Sequence, residues 1–321
     1  MKGDIDVKAN LLNFLKIFSL TLLISCLLIV IGIFAYIRFN NPLDELIYKE
    51  KETVSDLGDP NTDSPLEKAF KSINRINVLV IGLEHTRTDT IMLASFDRDT
   101  KEGNIISIPR DTYIDRDGYL DGSAKRINAI YGTDGIEELI DTISKMFQIP
   151  IHKYVLVDYQ AVVAGVNALG GVEVDIPIRM YYTDPADNPP LVIDFQPGKK
   201  LLKGEDALKF LRFRQNNDGS GYPRMDLDRI EAQQNFVKQA LKKMLSFKIA
   251  NLIRDVYPYV ETNFTITDLM ALSVDAIGFT TDKLNTTTLV GEIGKVNGAS
   301  VLYPNYEKAV EYTYKLYGLT E

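Results

Sequence analysis

The sequence predicts an α/β fold, a mixed central β-sheet flanked by helices, preceded by one N-terminal transmembrane helix. Three observations carry this: an uncharged apolar run over residues 17–37, a group of short β-branched runs soon after it, and helical patterns alternating with such runs through the rest of the chain. The chain has 321 residues, 45% of them hydrophobic and 25% charged, which is the make-up of a protein that buries a core.

Residues 1–16 read as a short cytoplasmic N-terminus. The run at 17–37 opens after Lys16 and closes at Arg38, close to the ~20 residues a helix needs to cross the hydrocarbon core. It is long for the apolar part of a signal peptide, and Tyr36 and Ile37 follow Ala35 where a cleavage site would carry small residues, so an uncleaved anchor is expected. Lys2, Lys8 and Lys16 precede the run and Arg38, Lys49 and Lys51 follow it, so charge counting barely orients it. Residues 38–72 are polar, carry Pro60 and Pro65, and read as a stalk. Residues 73–321 read as a single α/β domain.

Within that domain INVLVIGL (76–83), TIMLASF (90–96) and NIISI (104–108) suit buried strands. A helical pattern capped by Thr133-Asp134 covers 135–147; a strand at 154–157, a helix at 160–169 ending at Gly170-Gly171, and the strand VEVDI (172–176) follow. Further on, 205–212, 227–246 and 305–316 read as helices, and 191–195 and 286–290 as strands.

The net charge of −8 argues against a nucleic-acid partner, which would call for a basic face. The single cysteine, Cys26, lies inside the apolar run, so the domain has no thiol for a disulfide, a thiolate nucleophile or a zinc site. Phosphate-loop, nucleophile-elbow and zincin motifs are absent, and His85 and His152 stand alone.

What remains is a set of arginines and carboxylates at element ends: Arg87-Thr-Asp89, Pro109-Arg110-Asp111, Arg212-Phe-Arg214, and Asp226-Leu-Asp228-Arg229 with Gln233. Guanidinium forks neutralise phosphates bidentately, and carboxylate oxygens hold a Mg²⁺ that bridges phosphoryl oxygens. In Arg212-Phe-Arg214, alternation would point both guanidinium groups to one side. Asp226, Arg229 and Gln233 fall within about 60° of one another on a helix, and their stripe continues as Ile230, Val237, Ala240, Leu241 and Met244. That pattern is either ordinary core or a groove for a lipid tail leading away from an anion at the helix N-terminus. Asp111 also suits a turn or cap, and Lys125, Arg126, Asn128 and Tyr131 form a further polar group.

Taken in order, TRTDTIMLASFD, ISIPRDTYI, KRINAIYG, VDYQAVVAGVNALGGVEVDIP, GKKLLKGEDALKFLRFR and MDLDRIEAQQ resemble the LytR-CpsA-Psr family of bacterial cell-wall enzymes over about residues 77–245. The resemblance implies an extracellular domain on a single-pass anchor in the cell membrane. That domain would bind a polyprenyl-pyrophosphate-linked glycopolymer with Mg²⁺, or Mn²⁺ in its place, and transfer the phosphoglycan to a peptidoglycan hydroxyl. It implies pyrophosphate binding by Arg87, Arg110, Arg212, Arg214 and Arg229, with Gln233 and Lys125 beside them. Arg110 would be central to catalysis, Asp89 would be a metal carboxylate joined by Glu84, and Asp89 and Asp226 would be alternative bases. Glu84, where many relatives carry Asp, and Asp228 and Ala232, where Gly and Arg are frequent, depart from the family pattern, and residues 215–225 are long. A non-catalytic lipid-pyrophosphate binder and a polyprenyl-pyrophosphate glycan hydrolase are the alternative readings.

Overall fold

The computed structural model describes residues 64–319, apart from 85, 188 and 246–248 and the side chains of 226 and 249–251. The expected N-terminus, membrane span and most of the stalk lie outside these residues. Among the described residues no helix is long and apolar enough to cross a membrane.

The first element, α1 (Pro65–Ser72), falls inside the expected stalk yet packs on the domain: Leu66 and Ala69 are buried, and Phe70 meets the Tyr317 ring edge-on at 4.8 Å. A capping box between Ser64 and Glu67, with proline at the first turn, starts it. β1 (Arg75–Glu84), β2 (Arg87–Asp97) and β3 (Glu102–Ile108) form an antiparallel meander. α2 (Ile127–Phe147) begins well before the sequence suggests. Gly135, at φ 87°, breaks it just after the Thr133-Asp134 signal, so the helical pattern over 135–147 is the second half of a kinked helix.

β4 (Lys153–Val157) then pairs in parallel with β1, and α3 (Tyr159–Ala168) starts on the Asp158 cap. β5 (Val172–Ile176) pairs with β8 (Gly198–Leu202), and β6 (Met180–Asp184) with β7 (Leu191–Phe195), as antiparallel ribbons. α4 (Gly204–Arg212), α5 (Asp226–Met244) and α6 (Ile249–Val256) follow, then β9 (Val260–Thr262), α7 (Ile266–Asp275) and β10 (Leu284–Thr288). The β11 (Gly291–Val296) and β12 (Ala299–Pro304) ribbon and α8 (Tyr306–Leu316) close the chain. The sheet is six-stranded in the order β10-β3-β2-β1-β4-β9 and mixed, because β4 and β10 join in parallel while the other neighbours are antiparallel.

One face of the sheet, with Leu79, Ile81, Leu93 and Ile106, is sealed by Ile130, Leu139, Ile143 and Phe147 of α2. A second apolar cluster, with Val172, Ile193, Phe195, Phe210 and Phe236, joins the two ribbons to α3, α4 and α5. The opposite sheet face and this second cluster do not close completely on each other, and the gap between them is the site.

Candidate active site

The gap is a cavity of about 980 Å³. At one end it is lined by Glu84, Asp89, Tyr159, Arg212, Arg214 and Arg229; further in it is apolar, with Val155, Val162, Phe236, Val237, Leu252 and Phe264. The β1–β2 hairpin brings both carboxylates to the mouth from its end, past a register shift at Gly82/Leu83. Arg110 arrives from the turn after β3, where the Thr112 amide and hydroxyl both donate to the Pro109 carbonyl. Arg212 is the last residue of α4, and Phe213 continues in extended conformation with its ring buried. The flanking guanidinium groups therefore both face the cavity, as alternation predicts, although the segment is a helix end rather than a strand.

Arg110 Nη1 donates to Asp89 Oδ1 at 2.8 Å, and Arg214 Nη2 donates to Asp89 Oδ2 at 2.8 Å. Arg214 Nη2 also lies 3.8 Å from Glu84 Oε2, so the two carboxylates converge on one cationic nitrogen. Arg212 donates from Nη2 to Glu84 Oε1 at 3.3 Å, and its Nη1 lies 2.8 Å from Asp187 Oδ2. Burial pushes the Asp89 carboxyl up, but its contact with the Glu84 carboxyl and the positive charges of Arg110 and Arg214 outweigh it and hold Asp89 at about 2. Burial likewise opposes the charge on Arg212, yet Asp187, Tyr159 and Glu84 raise its pKa above the ordinary value.

Arg229 and Gln233, buried on α5, line the same cavity, and Gln233 Nε2 donates to the Leu211 carbonyl at 3.3 Å. Asp226 opens α5 one turn ahead of Arg229, and its side chain lies outside the described residues. Along the expected stripe, Val237, Ala240 and Met244 line the cavity, while Ile230 is buried in the core and Leu241 packs with Met92 and Leu284. Arg87 is exposed at the start of β2, paired in register with Glu84. Lys125 is not among the residues lining this cavity; its Nζ donates to Asp115 Oδ1 at 2.9 Å, and Asp111 lies 3.1 Å from Arg126.

Two residues at the mouth escape sequence reasoning. Tyr159 donates from its hydroxyl to Glu84 Oε1 at 2.6 Å, and the Arg212 guanidinium lies 4.6 Å from the centre of its ring. A signal for it existed, since it directly follows a strand and a helix cap. Asp187 lies in a Pro-rich turn between β6 and β7, where nothing in the pattern distinguishes it from any turn aspartate. The long 215–225 loop is anchored on both sides. Asn216 accepts from Tyr181 N at 2.6 Å and Asn217 from Thr183 N at 2.7 Å, while Asp228 accepts from Arg224 N at 2.8 Å and Nε at 2.6 Å. Asp228 thus ties the loop to α5.

Arginines and carboxylates clustered at the mouth of a cavity with apolar walls mark the candidate site of this α/β protein. The chain belongs to the LytR_cpsA_psr family, whose model matches residues 44–317. It is 31% identical over 226 residues to the polyisoprenyl-teichoic acid–peptidoglycan teichoic acid transferase TagV of Bacillus subtilis, a match covering 67% of this chain but only 56% of that relative. It is 26% identical over 292 residues to the transferase TagU of Oceanobacillus iheyensis, covering 86% of this chain and 85% of the relative. The crystal structure of B. subtilis TagV aligns with a TM-score of 0.63 at 27% identity, covering 77% of this chain and 99% of that one.

Proposed function

We propose that this chain transfers a phosphoglycan from a polyprenyl-pyrophosphate-linked glycopolymer to a peptidoglycan hydroxyl, attaching a secondary wall polymer. The observation that carries the reading is the continuity of the cavity: guanidinium groups at its mouth match a pyrophosphate, and the apolar walls behind them match an isoprenoid tail. The names of TagV and TagU, which place those relatives on polyisoprenyl-teichoic acid and peptidoglycan, support the same donor and acceptor classes here. Teichoic acid, capsule and other wall polysaccharides all fit the head-group chemistry.

In this mechanism the acceptor oxygen attacks the phosphorus nearest the glycan, the bond from that phosphorus to the bridging oxygen breaks, and polyprenyl phosphate leaves as the hydroxyl proton passes to a base. Arg110, Arg212 and Arg214, pre-positioned by Asp89, Glu84 and Asp187, rotate part of their hydrogen bonding onto the phosphates and offset the charge that grows on the leaving group. Arg229 and Gln233 close the site from α5. Glu84 and Asp89 are the residues that would hold a Mg²⁺ or Mn²⁺ once phosphates draw away Arg214, whose Nη2 now lies 3.8 Å and 2.8 Å from their carboxylate oxygens. Such an ion would offset charge on the bridging oxygen. A carboxylate held at about 2 is a poor proton acceptor near neutral pH, so Asp89 has an electrostatic part and Asp226 is the remaining candidate base. The run at 17–37 would hold the domain outside the cell membrane, within reach of a lipid-borne donor, with the N-terminus in the cytoplasm.

The test is transfer of a glycan from a synthetic polyprenyl-pyrophosphate donor to peptidoglycan by the purified full chain. Transfer that is lost in Arg110→Ala and retained in the surface control Lys145→Ala supports the reading. Turnover to water alone would identify a hydrolase, and tight binding without turnover a lipid-pyrophosphate regulator.

A further inference from the structure

Glu84 reaches the site on a side chain one methylene longer than aspartate, and a longer carboxylate samples more rotamers unless something holds it. The holder is on α3. Tyr159 is the first residue of that helix, fixed by the Asp158 side chain, which accepts from Ala161 N at 2.8 Å. From there its hydroxyl donates to Glu84 Oε1 at 2.6 Å, the same oxygen that takes Arg212 Nη2 at 3.3 Å. The other oxygen, Oε2, faces Arg214 beside Asp89. The ring of Tyr159 also underlies the Arg212 guanidinium at 4.6 Å.

We propose that Tyr159 is a positioning residue that divides the work of the Glu84 carboxylate, engaging Oε1 so that Oε2 is presented with Asp89 as a fixed pair of oxygens to the divalent cation. The inference rests on the cation site of the proposed function. Without the Tyr159 hydroxyl, Glu84 Oε1 loses its shortest hydrogen bond, the carboxylate is free to rotate, and the oxygen pair is lost. Hydrogen bonds that orient metal-binding carboxylates are typically worth 10- to 100-fold in metal affinity. An aspartate at position 84 would withdraw its carboxylate by one C–C bond, about 1.5 Å, beyond hydrogen-bond reach of a hydroxyl now at 2.6 Å. The requirement for Tyr159 is therefore specific to glutamate.

The experiment is Mn²⁺ titration, followed by electron paramagnetic resonance, of the detergent-solubilised full chain loaded with geranylgeranyl pyrophosphate, with geranylgeranyl pyrophosphate and Mn²⁺ alone as baseline. Tyr159→Phe, which keeps the ring beneath Arg212, is expected to lower Mn²⁺ affinity by about tenfold or more. In a Glu84→Asp background the same change is expected to alter affinity by less than about twofold, because no hydrogen bond remains to be lost. Unchanged affinity in Tyr159→Phe overturns the inference, and so does an equal loss in both backgrounds, which would mark a merely structural role. If the wild-type chain adds nothing to the affinity of the pyrophosphate alone, the cation site itself fails, and this inference with it. The two failures are thus told apart by the wild-type curve.

Discussion

Asp89 is the carboxylate on which the mouth of the cavity is organised, and Asp89→Asn tests that organisation. Its carboxyl is brought from 3.8 to about 2. At about 1.4 kcal/mol per tenfold, this corresponds to about 2 kcal/mol of stability near neutral pH. Because the folded value lies below the unfolded one, the contribution is complete above the ordinary carboxylate pKa of 3.8 and is lost as the pH falls through about 2. The asparagine keeps an acceptor for one guanidinium but not the charge that both Arg110 and Arg214 use. Denaturant unfolding of wild type and Asp89→Asn, compared at neutral pH and in steps down to about pH 3, should show a gap of about 2 kcal/mol that narrows on acidification. In a thermal scan the neutral-pH gap corresponds to roughly 4–8 °C. A gap that stays constant across this range, or no gap at neutral pH, would show that Glu84, Arg110 and Arg214 together do not hold Asp89 ionised.

Filling the cavity with Ala240→Phe should lower the affinity for geranylgeranyl pyrophosphate about tenfold or more, at ~0.8 kcal/mol per displaced methylene, while inorganic pyrophosphate binds as before; isothermal titration with both ligands checks it. Lys153 and Asp268 form an ion pair at 2.8 Å with both side chains more than nine-tenths buried, so Asp268→Asn should cost about 3–5 kcal/mol in urea unfolding, and a loss near zero would contradict the burial. Met225 stands at φ 52°, ψ −115° immediately before α5 with its side chain exposed, so Met225→Gly should relieve strain and raise stability by about 1 kcal/mol, whereas a clear destabilisation would argue that the Met225 side chain is needed there.

Much of this site is written in the chain locally. Arg212 and Arg214 share a side because a buried phenylalanine separates them, and Arg229 and Gln233 share a face because they are one helical turn apart. Arg110 and Asp89 could be picked out as strand-end residues. The stripe on α5 left core and groove open, because apolar spacing states which residues avoid water and not whether the opposing surface closes on them. Other elements were illegible for a similar reason: β6, β8 and β9 are short, and β8 is mostly exposed, so their pairing depends on partners distant in the chain rather than on a hydrophobic period.

By itself the sequence determined the kind of chemistry available, an α/β scaffold with arginines and carboxylates at element ends and an apolar run ahead of it, because residue type and short-range spacing are local properties. Only the tertiary structure decided that Glu84 and Asp89 converge on one nitrogen of Arg214, that Tyr159 and Asp187 join them from elements far along the chain, and that the space behind them stays open. Those are distances between surfaces that no local pattern encodes; they follow from how the sheet, the two ribbons and α5 pack, and from the volume their side chains leave between them.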